Sequence, residues 1–295
     1  MYILARSLKE ATEFLFAASE RVIILAGGTD LMVFNRDLIA EAEQRKNPIL
    51  DVSRVAEMRN IRLENHQLVI GSVVTYRDVL LSRPVQRYGL ALVEASQRTG
   101  SAQIRNVGTL GGNVVNASPA GDALTALIAL NGEVEIAYGQ EYYRQNIETF
   151  LKGPKKTGLP ENHLVTRLLV PVYQGYVGSS FYKLVNRASS QHGLAISVVS
   201  ATAVVQLSKD KSRIERTRLV LGAVAPTPVR ARPSEEILQE RPISRDLIKE
   251  AALAAVQVIA PIDDIRATAT YRREVVPAIV ENVLIHAIRK AAYSS

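Results

Sequence analysis

The sequence predicts an α+β fold in two domains, on three observations. A chain of 295 residues with 47% apolar side chains is long enough to bury two cores of ordinary size. Up to Pro171 helix-capping signals alternate with short strand runs, whereas from Ser179 three long strand-like runs follow one another and then give way to helices. Between these textures Pro and Gly cluster from Pro171 to Gly178, which divides the chain into domains 1–174 and 175–295.

In chain order, Ser7 and Glu10 have the spacing of a capping box and open a helix with a Leu8, Ala11, Leu15 stripe. Arg21 to Ala26 (RVIILA) is a short apolar, β-branched strand that stops at Gly27-Gly28-Thr29-Asp30, and Pro48 to Val52 is a second strand. Ile61-Arg62-Leu63 and Leu68-Val69-Ile70, separated by polar Glu64 to Gln67, predict a hairpin. Helices are expected after Thr75 and Pro84, the second closing at Gly100, and another from Asp122 to Asn131-Gly132, where glycine suits a left-handed cap. SSFYKLV (179–185), AISVVSATAVVQL (195–207) and RIERTRLVLGAV (213–224) read as a meander, with a charged turn from Ser208 to Ser212. Helices after Ser234, Ser244 and Thr268 complete the chain, the last kinked at Pro277.

Composition removes several classes of function. Zero cysteines exclude disulfides, thiolate metal sites, cysteine nucleophiles and iron-sulfur ligation by this chain. His66, His163, His192 and His286 have no paired metal-ligand spacing. No run approaches the roughly 18 apolar residues of a membrane span, and the N-terminus lacks a signal-peptide pattern, so a cytoplasmic protein is expected. The net charge of +7 is spread along the chain and no Trp is present for base stacking, which argues against a nucleic-acid binder and for an acidic partner or an anionic cofactor.

Two glycine loops carry the chemistry: Ala26-Gly27-Gly28-Thr29-Asp30-Leu31, and Thr109-Leu110-Gly111-Gly112-Asn113 with Ser118-Pro119 and Asp122 downstream. Backbone N–H groups of glycine approach an anion closely and successive ones form a concave nest, so two such loops can clasp one pyrophosphate. Thr29, Thr109 and Asn113 add side-chain donors; Asp30 and Asp122 repel phosphate and suit ribityl, ribose or amide groups instead. A lone diglycine is usually only a strand-ending turn, and neither loop has the spacing of a dinucleotide fingerprint or a P-loop.

The stretches LAGGTDL (25–31) and QIRNVGTLGGNVVNASPAGD (103–122), followed in order by FLKGPKKTGL (150–159), FYKLVNR (181–187), LGAVAPTPVRA (221–231) and YRREVV (271–276), resemble the flavoprotein subunit of the xanthine dehydrogenase and carbon monoxide dehydrogenase family. The resemblance covers nearly the whole chain. It implies a vanillyl-alcohol-oxidase-type FAD-binding domain of two subdomains, then a C-terminal α+β domain like that of the carbon monoxide dehydrogenase flavoprotein. By position it implies that Leu25, Ala26, Gly27, Gly28, Thr29, Asp30, Leu31 and Met32 line the pyrophosphate and that Thr109, Leu110, Gly111, Gly112 and Asn113 meet the phosphates and the flavin side. It further implies that Asp122 holds a polar cofactor group and Lys183 contacts the flavin region, with backbone contacts from Leu164 or Val165. Thr99 stands where some relatives carry an aromatic residue that stacks on the flavin. The loop Asn186 to Leu194 is longer than usual, and its Gln191 and His192 are candidates to modulate acceptor access. No residue is implied to be a catalytic acid or base. The implied partners are a large molybdenum-cofactor subunit and a small subunit with [2Fe-2S] clusters, in a dimer of heterotrimers, with NAD, oxygen, a quinone or another carrier as acceptor. A stand-alone flavin reductase of the same FAD fold and a cofactor-free scaffold are the rival expectations.

Overall fold

The computed structural model describes residues 1–34, 40, 47–186 and 195–294. The strand β1 (Tyr2–Leu4), helix α1 (Leu8–Ala17), β2 (Ile23–Leu25), α2 (Leu31–Phe34) and β3 (Ile49–Asp51) form a small parallel sheet, ordered β1-β3-β2, with α1 against it. Ser7 Oγ accepts from Glu10 N–H at 3.1 Å, and Glu10 in turn accepts from Arg6 N–H, so the box closes one residue upstream of the cap. Leu8, Ala11 and Leu15 join Leu50, Val52 and Val55 in a buried cluster, as their spacing predicts.

A 3-10 turn at Ala56–Met58 leads into the hairpin β4 (Ile61–Glu64) and β5 (Gln67–Gly71), then into the helices α3 (Tyr76–Leu81), α4 (Arg83–Tyr88), α5 (Leu90–Gln97), α6 (Ala102–Val107), α7 (Leu110–Asn116) and α8 (Asp122–Ala129). The single helix expected from Pro84 to Gly100 is two, because Gly89 takes a non-helical φ of −134° and turns the chain. A left-handed residue does follow α8, but it is Asn131 at φ 59° and not Gly132. The larger correction concerns the second glycine loop, which is the cap and first turn of α7. Thr109 Oγ1 accepts from Gly112 N–H at 3.1 Å, a cap that offsets the poor helix propensity of Gly111 and Gly112, about 1 kcal/mol each.

β6 (Glu133–Tyr138), β7 (Glu141–Asn146), α9 (Ile147–Phe150), the short hairpin β8 (Leu151–Gly153) and β9 (Lys156–Thr157), and β10 (Leu164–Pro171) complete the second unit, an antiparallel sheet ordered β4-β5-β10-β6-β7. Central β10 faces two cores: Leu164 joins the cluster around α1, whereas Val165, Leu168 and Val170 join the one around α8. A bulge between Val165 and Arg167 bends the strand where these cores meet.

The meander follows as β11 (Tyr176–Leu184), β12 (Val199–Leu207) and β13 (Arg213–Gly222), with Phe181, Thr202 and Val220 in register. β14 (Val229–Arg230), α10 (Arg232–Leu238), β15 (Arg241–Pro242), α11 (Arg245–Ala254) and α12 (Ala269–Tyr293) close the fold. Ser244 and Thr268 cap their helices as expected. Ser234 does not; it is buried inside α10, which starts two residues earlier, and donates to Ala251 C=O at 2.7 Å. α12 is assigned as one helix through Pro277. Among the described residues no helix is long and apolar enough to cross a membrane.

α8 joins the two halves. All eight of its residues are buried, with α5 on one side and β12 and β13 on another, and Phe181, Val204 and Val220 of the C-terminal sheet complete its core. Glu94 on α5 accepts from Phe181 N–H at 2.8 Å and pairs with Lys290 of α12, whose ammonium also reaches Ser179 C=O.

The charged turn between β12 and β13 predicts a pH effect. Asp210 accepts from Ser208 and Ser212 hydroxyls and from Ser212 N–H, and these bonds to its ionised form lower its carboxyl to about 2. Because the folded value lies below the unfolded one, the stabilisation is complete above the ordinary carboxylate range and is lost as pH falls through the folded value. Asp210→Ala is therefore expected to lower the thermal midpoint near neutral pH, with the deficit shrinking as pH falls towards about 2; an equal deficit at both pH values would contradict this role for the carboxylate.

Candidate functional site

β2 ends in the loop 27–31 because Gly27 and Gly28 do what residues with side chains cannot. A Cβ on Gly27 would stand 2.1 Å from Val107 C=O, so only glycine lets the loop lie against the end of α6. Gly28 is left-handed at φ 68°. The outcome is a row of five backbone N–H groups, of Gly27, Gly28, Thr29, Asp30 and Leu31, that make no hydrogen bond among the described residues. Successive free amides beside a left-handed glycine are an anion nest.

The start of α7 plays a different part from the one expected of it. Leu110 and Gly111 N–H donate to Val74 and Ser72 C=O, and Gly112 and Asn113 N–H bond Thr109, so these four amides are already used. Its glycines shape the wall instead. A Cβ on Gly111 would fall 2.5 Å from Ser72 Cβ, whereas one on exposed Gly112 would meet only Thr109 Oγ1.

Loop and helix together border a groove of about 480 Å³. Of the residues singled out in the sequence, Ala26, Gly27, Gly28, Thr29, Asp30, Leu31, Thr109, Gly111, Gly112, Asn113, Leu164 and Val165 line it. Leu25, Met32 and Leu110 do not, and Leu110 is fully buried in the core. Ile24, Val52 and Val165 supply an apolar wall. Asn113 Oδ1 is buried without a hydrogen-bond partner among the described residues, which leaves it to accept from a ligand.

Asn116, Lys155 and Tyr76 are among the lining residues that escaped the sequence reading. Asn116 donates to Asp30 Oδ1 at 2.8 Å and accepts from Lys155 Nζ at 2.9 Å, and Lys155 lies 3.7 Å from Asp30. Asp30 thus accepts from an amide, as its chemistry suggested, but the amide is the protein's own. Asn116 shares a helical face with Asn113, a signal available only once 110–116 is read as helix. Tyr76 also lines the groove; burial pushes its hydroxyl up, assisted by the charges of Asp122 and Asp30.

Asp122 and Lys183 lie outside the groove and are paired with each other. Lys183 Nζ is 2.7 Å from Asp122 Oδ2 and also donates to Ala195 C=O, while Ser197 Oγ donates to Asp122 Oδ1 at 2.6 Å. Lys183 is 5% exposed and Asp122 7%, so the ion pair is dry. Burial pushes the Asp122 carboxyl up, and Lys183 and Ser197 pull it back. Thr99 turns its hydroxyl to Ala95 C=O and its carbonyl to Arg105, not to the groove. Gln191 and His192 lie outside the described residues. Among the described residues no cluster of three or more His, Asp or Glu could hold a metal ion.

The row of amide donors, the apolar wall and the unpartnered Asn113 oxygen fit a ligand with a pyrophosphate, an aromatic ring and hydroxyl groups. Comparison with known proteins points the same way. Residues 1–173 match the family model described as the FAD binding domain in molybdopterin dehydrogenase, and 181–287 the CO dehydrogenase flavoprotein C-terminal domain. The glyceraldehyde dehydrogenase medium chain of Sulfolobus acidocaldarius is 31% identical, with 94% of each chain covered. The xanthine dehydrogenase FAD-binding subunit of Escherichia coli O157:H7 is 28% identical, with 98% of this chain and 96% of that one covered. The structure of carbon monoxide dehydrogenase from Hydrogenophaga pseudoflava that lacks the Mo-pyranopterin moiety superposes with a TM-score of 0.86 at 26% identity, covering 98% of this chain and 97% of that one.

Proposed function

The chain belongs to the family of FAD-binding medium subunits of the molybdopterin dehydrogenases, and on that premise we propose that it relays electrons from the [2Fe-2S] clusters of a partner subunit, through FAD, to an external acceptor. The observation that carries this reading is the row of N–H groups from Gly27 to Leu31, without hydrogen bonds among the described residues, beside a groove whose Asp30 and Lys155 are tied to Asn116.

FAD supplies the redox chemistry when bound; this chain binds, orients and shields it. The Gly27–Leu31 amides hold the pyrophosphate, Asn113 accepts from a cofactor hydroxyl or amide, and Val165 and Ile24 cover an aromatic ring. Asp30 is held by Asn116 and Lys155, which keeps its charge turned from the phosphates. The buried Lys183–Asp122 pair fastens the two domains to each other, and we place the boundary between them at residues 174 and 175. The hydroxylated substrate belongs to a large molybdenum-cofactor subunit, and a dimer of heterotrimers is the assembly this reading implies. NAD, oxygen or a quinone is the acceptor class.

Titrating the purified chain with FAD, followed by flavin fluorescence and visible absorbance, tests the reading. One FAD per chain is expected, with Gly112→Val weakened at least about tenfold, near 1.4 kcal/mol, because its side chain fills the groove while the helix persists. A folded chain that binds no FAD, even with its partner subunits present, would refute the proposal.

A further inference from the structure

We propose that a second groove, separate from the dinucleotide groove, binds a phosphorylated small molecule with the chemistry of a nucleoside diphosphate. It measures about 550 Å³ and is lined by Ser53, Arg54, Arg59 and Asn106, with Val73 and Val107 as its apolar walls. The two grooves share Ala26, Gly27, Val73 and Thr109 along their common border, where Gly27 packs against Val107 C=O with no room for even a methyl group. The amides of Gly28 to Leu31 belong to the first groove only.

The second groove is basic, with two exposed guanidinium groups on its lining. Neither the Arg54 nor the Arg59 guanidinium has a hydrogen-bond or ion-pair partner among the described residues. No carboxylate lines the groove; Asp51, which accepts from Tyr2 Oη and Ser53 N–H, lies near enough for the Arg54 charge to help lower its carboxyl, while Glu57 accepts from Leu8 N–H and Asp78 engages Thr75. Asn106 accepts from Arg77 through Oδ1, which leaves its NH2 to donate. The polar lining therefore offers mostly donors, two of them guanidinium forks, and forks of this kind match phosphate oxygens two at a time. Two forks suit two phosphates. Val107, half exposed, gives a base or another flat ring a surface to lie on.

Isothermal titration of the chain with inorganic pyrophosphate and with ADP, first without FAD and then saturated with it, tests the proposal. Without FAD both probes can also enter the dinucleotide groove, so the FAD-saturated chain decides: there each probe is expected to bind, ADP more tightly than pyrophosphate. Arg54→Ala and Arg59→Ala are each expected to weaken binding about tenfold or more, as loss of a charge-assisted bond implies, with flavin content unchanged. Either of two results would overturn it: no binding to the FAD-saturated chain, which would make the groove part of the cofactor site, or binding there that is indifferent to both substitutions. ADP binding no tighter than pyrophosphate would reduce the site to a bare anion site and remove the nucleoside from the proposal. Since the probes are titrated without FAD as well, a failure of the flavin reading leaves this test intact.

Discussion

Gly27→Ala is expected to abolish FAD binding and to lower the thermal midpoint, although it adds a single methyl group. The new Cβ would stand 2.1 Å from the Val107 oxygen, 2.9 Å from its carbon and 3.0 Å from Gly108 Cα, all backbone atoms that no rotamer change can move. Either the loop lifts away, scattering the five amides, or α6 shifts and takes Thr109 with it. Overpacking of this kind costs about 1–3 kcal/mol of stability. Loss of affinity is the larger effect, because successive amides bind an anion only while they converge. Gly112→Ala is the internal contrast: its Cβ meets only the Thr109 hydroxyl, so folding should persist with a small stability change. Flavin content and circular-dichroism melting of the two variants decide the matter. A Gly27→Ala protein that keeps FAD and its midpoint would disprove the assigned packing.

Lys183→Met is expected to destabilise the chain by about 3–5 kcal/mol, since it strands the Asp122 carboxylate in a dry junction between the domains. The loss should depend on pH with a definite sign. Burial already pushes the Asp122 carboxyl above its ordinary value, and without Lys183 only Ser197 and the Arg98 charge oppose that push. The folded state then holds the proton more tightly than the unfolded one, so stability falls as pH rises above the ordinary carboxylate range. Urea midpoints should show a larger deficit at about pH 8 than at about pH 5, and a deficit of equal size at both would rule out a stranded carboxylate. The double variant Lys183→Met with Asp122→Leu should recover most of the stability, because a buried ion pair exchanged for apolar side chains is often neutral. If Lys183 also serves the cofactor, FAD affinity or the flavin spectrum stays altered in the double variant.

The division of labour between sequence and structure shows most clearly at the two glycine loops. GGTD was legible as a turn that frees backbone donors, because a β-branched apolar run ending in two glycines has few other outcomes. TLGGN was misread as a second nest. Glycine propensity argued against helix there, and what overrode it was a threonine cap together with close packing of Gly111 on Ser72, a residue distant in sequence. Asn116 and Lys155 were missed for a related reason, since a loop has no faces and their convergence on Asp30 requires α7 to be helical.

By itself the sequence determined the two-domain α+β class, the meander, the starts of α1, α3, α8, α11 and α12, the absence of cysteine chemistry and, through its ordered motifs, the resemblance to a flavoprotein family. These rest on periodicity, capping and composition, which act over a few residues and are written locally. Only the tertiary structure decided that one glycine loop donates while the other shapes a wall, that Lys183 spends its charge on Asp122, and that a basic groove lies behind Gly27. Asp122 and Lys183 stand 61 positions apart. Which buried charges meet, and which amides stay free, depends on how whole elements pack, and no spacing along the chain encodes that.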